Sequence, residues 1–358
     1  MNATHTCPTS IYELRIVVLC ICIPLFVSAC SNTDSSLHQA RLLALGTLVD
    51  ISTWGVDDDT AEQAIAAVEG ILNDIHHTWH AWQPGTLTRI NEQLAKGEPV
   101  EVEPDNMMLI REAGRLSGIG DQLFNPAIGK LIELWGFHSD DRPQGPPPDP
   151  AAIKALVAKN PTMKDLVING TTLKSTNPAV QLDFGAFAKG YAVDQAIAML
   201  RARGISNAIV NAGGDLRAIG RHGDRPWRIG IRHPKDPGII ASIETNGDES
   251  VFTSGNYERF FDYQGNRYHH IIDPRDGYPA KDTLSVTVIH DNAATADAAA
   301  TALFVAGPKL WQKIAAQMGI TQVMLIDDKL TIYMTPAMAK RVHFEIDPQP
   351  KIIIANPT

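Results

Sequence analysis

Asp297 and Thr301 stand four residues apart in the alanine-rich run AATADAAATALF, where helical spacing puts them on one face. A carboxylate and a hydroxyl so placed offer hard oxygen ligands to Mg²⁺, an ion that takes few protein ligands and keeps sites for phosphate. The surrounding alanines bring backbones close and leave the acid little steric cover. Spacing alone equally allows a solvated or helix-capping pair. Asn211-Ala212-Gly213-Gly214-Asp215 is a Gly pair with an acid after it. Glycines let amide N–H groups approach a phosphate or ring closely, and they also make plain tight turns. Asp183 to Gly190 (DFGAFAKG) ends a predicted strand and opens a predicted helix. Helix N-termini favour anions and Lys189 adds a full charge; ordinary capping with a solvated lysine is the alternative. His269-His270-Ile271-Ile272-Asp273-Pro274 sets imidazoles beside an acid, a pattern open to acid–base chemistry or to structural histidines. Thr253-Ser254-Gly255 adds hydroxyls at a polar turn. Trp79 and Trp82, before a Pro-Gly turn, suit either the core or stacking on a flat ligand.

These residues need a frame, and the hydrophobic pattern supplies one. Folded structure is expected from about Leu42, with a strand over Leu48 to Trp54. Asp59-Thr60-Ala61-Glu62 fits an N-cap with an acid three residues on, and Ile65, Val68, Leu72 and Ile75 keep helical spacing behind it. A second amphipathic stretch covers Asp105 to Leu116. Ser139 to Pro150 (SDDRPQGPPPDP) is too Pro-rich for a helix or central strand and reads as a surface loop within one domain. Further on, Val180 to Phe184 predicts a strand, Ala186 to Arg203 a helix closed by Gly204, and Ala208 to Asn211 a strand. Short strands follow between Trp227 and Ile272. Leu284 to His290 is a strand and Ala293 to Val305 a helix with Gly307-Pro308 as its stop. Val323 to Ile326 and Leu330 to Tyr333 read as a hairpin. No internal repeat is present, and the pattern is mixed α+β rather than strict βαβ.

The chain has 358 residues, 31 Lys+Arg against 40 Asp+Glu and a formal charge of -9. The 44% apolar and 20% charged residues are ordinary for a globular protein, and the acidic balance argues against a nucleic-acid partner. The phosphate loop G-x-x-x-x-G-K-[ST], H-E-x-x-H and G-x-S-x-G are absent. Gly118-Ile119-Gly120, half a dinucleotide fingerprint, reads as a turn. Ile16 to Ala29 is an unbroken apolar run, shorter than the roughly 20 residues that span a bilayer. Arg15 precedes it, offset by Glu13, and small residues follow, the order of a secretory signal; an uncleaved membrane anchor is the alternative. Val27-Ser28-Ala29-Cys30 resembles a bacterial lipobox. All four cysteines, Cys7, Cys20, Cys22 and Cys30, lie in this segment, so cleavage before Cys30 would leave only the lipid-bearing one. Ser31 to Ser36 is a polar tether.

Seven segments stand in an order that resembles the ApbE family of bacterial FAD:protein FMN transferases. They are Leu45-Gly46-Thr47; Phe124 to Gly129 with Leu134 to Phe137; LDFGAFAKGYAVD from Leu182; NAGGD from Asn211; TSGNYER from Thr253; HIIDPRDGYP from His270; and ADAAATAL from Ala296. The resemblance implies one α+β domain of the ApbE, T-fold-like type over 42–358, after a lipoprotein signal over 1–29 and a lipidated Cys30 with its tether over 30–41. It implies a Mg²⁺ site from Asp297, Thr301 and the carbonyl of Ala186. FAD, as substrate, would contact Leu45, Thr47, Trp82, Phe124, Asn125, Asp183, Lys189, Gly214, Asp215 and Ser254. His270 would take the acceptor's proton, oriented by Asp273. Leu45 stands where the family usually has Met, and Asn125 where it often has Asp. The implied reaction transfers FMN to a Thr or Ser hydroxyl of an acceptor, such as a subunit of a Na⁺-pumping quinone reductase or Rnf-type complex, and releases AMP. The alternatives are a Mg²⁺-dependent FAD pyrophosphatase and a non-enzymatic flavin-binding lipoprotein. The implied location is the periplasmic side of a membrane, with Ser31 favouring the outer one.

Overall fold

Two alternating segments open the fold. β1 (Leu37–Ala44) and β2 (Thr47–Trp54) pair antiparallel, from Leu37 opposite Trp54 to Ala44 opposite Thr47. Among the described residues the first strand thus starts at Leu37, ahead of the expected Leu42. Exposed and covered positions alternate along β1, but its inward residues include His38 and Ala40, so the apolar signal begins late. Leu45 and Gly46 close the hairpin at φ 55° and 70°, the double positive φ of a turn that matches strand twist.

The structure, a computed structural model, describes residues 36–348 and 350–358. The signal expected over 1–29, Cys30 and the start of its tether lie outside the described residues. Seven more strands extend the hairpin: β3 (Ala208–Ala212), β4 (Asp215–Ile219), β5 (Glu249–Gly255), β6 (Thr283–His290), β7 (Gln322–Asp327), β8 (Ile332–Met334) and β9 (Ile352–Ile354). In space they lie in chain order, β1 to β9. Every neighbouring pair is antiparallel except β8 with β9.

Both faces of the central strands are covered, which explains apolar runs such as Val323-Met324-Leu325-Ile326. Val323 and Leu325 join the larger core, Met324 and Ile326 the smaller. The larger core takes side chains from α1 (Asp58–Trp79), α2 (Pro104–Ile119), α3 (Ala188–Ala202) and α4 (Ala293–Met318), together with Leu87, Ile90 and Leu94 of a helix between α1 and α2. α3 packs on α1 and α4, and α4 packs on β5 and β6. The smaller core lies under a three-stranded sheet of Arg228–Arg232, Ile239–Glu244 and His343–Phe344. A third cluster joins Leu131, Trp135 and Phe137 to Phe261 and Ile272, so the Pro-rich loop and helix Pro150–Val157 belong to the same domain.

Local departures have local causes. The N-cap of α1 is Asp57, not Asp59; its side chain accepts from Thr60 N–H at 2.8 Å. The strand expected over 180–184 is an extended stretch with a single bridge, Ile128 to Gln181. It pairs with 126–129 instead: Asp183 N–H donates to Pro126 O at 2.8 Å. α3 starts at Ala188, two residues after the predicted start. A further helix, Thr86–Lys96, follows the Pro-Gly turn. α4 does break at Gly307 (φ 63°, ψ −175°), then resumes to Met318.

Candidate active site

The closest approach of two helices builds the first half of the site. Gly190, in the first turn of α3, has no room for a side chain; a Cβ there would sit 2.3 Å from the carbonyl oxygen of Ala293. This contact lets Gly190 N–H donate to Asp297 Oδ2 at 2.9 Å. In an uninterrupted helix that N–H would bond to the carbonyl of Ala186. Among the described residues the Ala186 carbonyl has no backbone hydrogen bond. Asp297 is only 5% exposed, and Oδ1 has no hydrogen-bond partner among the described residues. Burial pushes its carboxyl up to about 7, Lys189 opposing and nearby Asp215 adding to the rise. Thr301, one turn on, shares a hydrogen bond of 3.1 Å with the hydroxyl of Ser254 on β5.

Lys189 forms an ion pair with buried Asp215 at the start of β4. Burial opposes the lysine's charge, but Asp215 and Asp297 together hold its pKa above the ordinary lysine value. Asp215 Oδ1 accepts from Thr253 N–H at 2.8 Å, which ties β4 to β5. The turn before Asp215 is shaped by glycine: Gly213 and Gly214 lie at φ 68° and 103°. Gly213 packs on the hairpin, where its Cβ would meet Thr47 Oγ1 at 2.4 Å. Gly214 N–H donates to Asn211 Oδ1 at 2.8 Å. Lys189, Gly190, Asp215, Ser254, Asp297 and Thr301 therefore share one seam, with Thr47 at its edge.

The second half is aromatic. The ring of Trp82 stacks with His138, centroids 5.7 Å apart at 26°. The guanidinium of Arg259 lies 5.5 Å from the Trp82 centroid. Among the described residues the Trp82 indole N–H is buried without a hydrogen-bond partner. His138 Nε2 donates to Asp183 Oδ2 at 2.7 Å, and Gly185 N–H donates to Oδ1 at 2.7 Å. Burial works against the Asp183 charge, but His138, Gly185 N–H and Arg259 outweigh it and lower its pKa. Trp79 is a core residue, set edge-on to Phe184.

His270 packs edge-on to Phe137, and its Nδ1 donates to the Arg259 carbonyl at 3.2 Å. A carbonyl only accepts, so this bond leaves the Nε2 lone pair free. Loss of water around the ring lowers the imidazole pKa to about 3, so the base is neutral. The expected orientation by Asp273 is not found. Asp273 accepts from Arg275 Nε at 2.8 Å and from Arg275 N–H at 2.9 Å; the short turn brings that guanidinium back onto its own acid. Asn125 is taken up by structure: it donates to Pro161 O at 2.9 Å and accepts from Ala127 N–H at 3.0 Å. The Phe124 ring is in the main core, so neither side chain of this pair is aimed at the seam. Leu45 occupies the hairpin turn.

Four participants escaped the sequence reading. Arg259 lies within TSGNYER and His138 just after the WGF segment, but nothing in their spacing announces a stacking partner. Gly190 and Asp194 sit in the LDFGAFAKGYAVD segment and act through backbone contacts that only the helix pairing reveals.

Residues 45–325 match the ApbE family. A Rhodobacter capsulatus FAD:protein FMN transferase is 46% identical over 83% of the chain, which spans 57% of that relative's length. A Vibrio cholerae FAD:protein FMN transferase is 33% identical over 84% of the chain and 91% of its own. The crystal structure of the Thermotoga maritima ApbE protein superposes with a TM-score of 0.78 at 31% identity, covering 87% of this chain and 100% of that one. A Pseudomonas stutzeri flavinyl transferase ApbE, in its apo form, gives 0.74 at 28% identity, covering 86% and 96%. With residues 45–325 matched by the family model and a relative 46% identical over 83% of the chain, the chain belongs to the ApbE family.

Proposed function

We propose that this chain is an FAD:protein FMN transferase, moving the FMN part of FAD to a Thr or Ser hydroxyl of an acceptor protein with release of AMP. The observation that carries the reading is the buried, half-satisfied Asp297 beside the free carbonyl of Ala186 and the hydroxyl of Thr301. These are hard oxygen donors few in number, the set that suits Mg²⁺ with phosphate completing the shell. When bound there, Mg²⁺ would neutralise diphosphate oxygens and ease the departure of AMP.

The residues of the chain divide the remaining work. Lys189 holds phosphate oxygens, and the Gly213-Gly214 turn, its amides already bonded to Leu48 O and Asn211 Oδ1, lets the ligand approach the backbone closely. Trp82, backed by His138 and Arg259, offers its indole to the flavin ring, and its unpaired N–H points to a polar atom of the ligand. Nε2 of His270 takes the proton of the attacking hydroxyl as the new oxygen–phosphorus bond forms and the bond to AMP breaks. Catalysis is then positioning plus charge stabilisation. Export, lipid attachment at Cys30 and acceptors of the Na⁺-pumping quinone reductase or Rnf type complete the proposal; loss of labelled palmitate from Cys30→Ala tests the anchor.

The deciding experiment incubates the protein with FAD, Mg²⁺ and an acceptor subunit and weighs the acceptor by mass spectrometry. A gain of FMN that disappears in Asp297→Asn is expected. AMP release at full rate without acceptor, and an unchanged acceptor mass, would instead indicate a pyrophosphatase.

A further inference from the structure

The start of α4 is held by a side chain of α3. Asp194 Oδ1 accepts from the N–H of Ala293 at 3.0 Å, and Oδ2 from the N–H of Ala294 at 3.0 Å and from Asn292 Nδ2 at 2.7 Å. Arg217 on β4 pairs with the same carboxylate. Arg217 is itself fixed by Asp248, which accepts from its Nε at 2.9 Å and Nη2 at 3.0 Å. The first amides of a helix have no partner within it, and a carboxylate is their best acceptor. Here that acceptor comes from the neighbouring helix rather than from the residue before α4. The N-cap Asn292 meanwhile accepts from Thr295 N–H at 2.8 Å.

Two pins one helical turn apart therefore join α3 to α4: Gly190 to Asp297, and Asp194 to Ala293 and Ala294. Two pins fix both the separation and the register of the helices, which one pin cannot do. The separation sets how far Asp297 lies from the Ala186 carbonyl, because Ala186 leads directly into α3. We infer that Asp194 is a positioning residue for the metal site: it sets the spacing of oxygen ligands that come from two different helices. The inference rests on the Mg²⁺ reading above. A group that orients metal ligands without touching the metal typically governs about 10- to 100-fold of affinity.

The test measures metal binding directly, with Mn²⁺ as an electron-paramagnetic probe and the full chain without FAD. Asp194→Asn keeps the shape but loses acceptor capacity for two of its four donors. Its Mn²⁺ dissociation constant is expected to rise at least tenfold, with transferase activity recovering at high Mg²⁺. Ile314→Val, a core change at the far end of α4, serves as the control for lost stability and should bind Mn²⁺ like the wild type. If Asp194→Asn does not fold, Arg217→Gln, which frees the same carboxylate to swing, should raise the constant severalfold. Wild-type affinity in a folded Asp194 or Arg217 variant would overturn the inference while leaving the metal reading intact. Equal Mn²⁺ binding by the wild type and Asp297→Asn would overturn both.

Discussion

At the scale of single residues, the site depends on what is missing as much as on what is present. Gly190 lacks a Cβ where Ala293 would collide with one, and that gap brings its amide to Asp297. Gly190→Ala should cost about 1–3 kcal/mol by overpacking, read as a lower urea midpoint. It should also abolish metal-dependent flavin transfer, because the helices must part. His270→Gln tests the free Nε2. Transfer should fall about 10²–10⁴-fold with FAD affinity unchanged, the mark of a lost general base rather than lost binding. The sequence marked Asp297, Thr301, Lys189 and His270 through residue type and family pattern. It did not reveal the Arg259 carbonyl as the partner of His270, because a backbone acceptor carries no side-chain signature. Asp273, the more obvious partner by type, is engaged by Arg275.

At the scale of elements, strands and helices with strong periodicity were legible, and those with polar or short patterns were not. α4 announced itself by its alanines, and its break by Gly307-Pro308. β1 was partly hidden because His38 and Ala40 occupy inward positions, and the 180–184 segment looked like a strand because it is extended but meets a loop. Gly307 lies in a backbone region open essentially only to glycine. Gly307→Ala should therefore cost about 1–3 kcal/mol and lower the melting temperature. Mn²⁺ binding should be unaffected, since Asp297 and Thr301 lie before the break; calorimetry and the metal titration together check this.

At the scale of the molecule, the mixed α+β class followed from the alternation of elements, whereas the order of the sheet did not. Nothing local in a strand states its neighbour, and β2 and β3 are separated by most of the helical segments. The global stability carries a pH signature of its own. His269 is buried, bonded through Nε2 to Ala280 O, and burial lowers its pKa from 6.5 to about 4. An unfolded chain takes up a proton there below pH 6.5 and the folded one does not until about 4. Its contribution is thus fully present above 6.5 and is lost as pH falls toward 4, by about 1.4 kcal/mol per pH unit. His269→Gln should flatten the acid limb of a urea-midpoint profile by that amount; an unchanged slope would contradict the burial argument.

The junction of β2 with β3 closes the longest detour in the sheet, from Trp54 to Ala208, and Thr47 meets Gly213 at its end. A dinucleotide held on one side by the hairpin and on the other by the double-glycine turn would act as a clasp across that detour. Occupancy would then be felt far from the ligand, as slower amide exchange along the whole Thr47–Trp54 border.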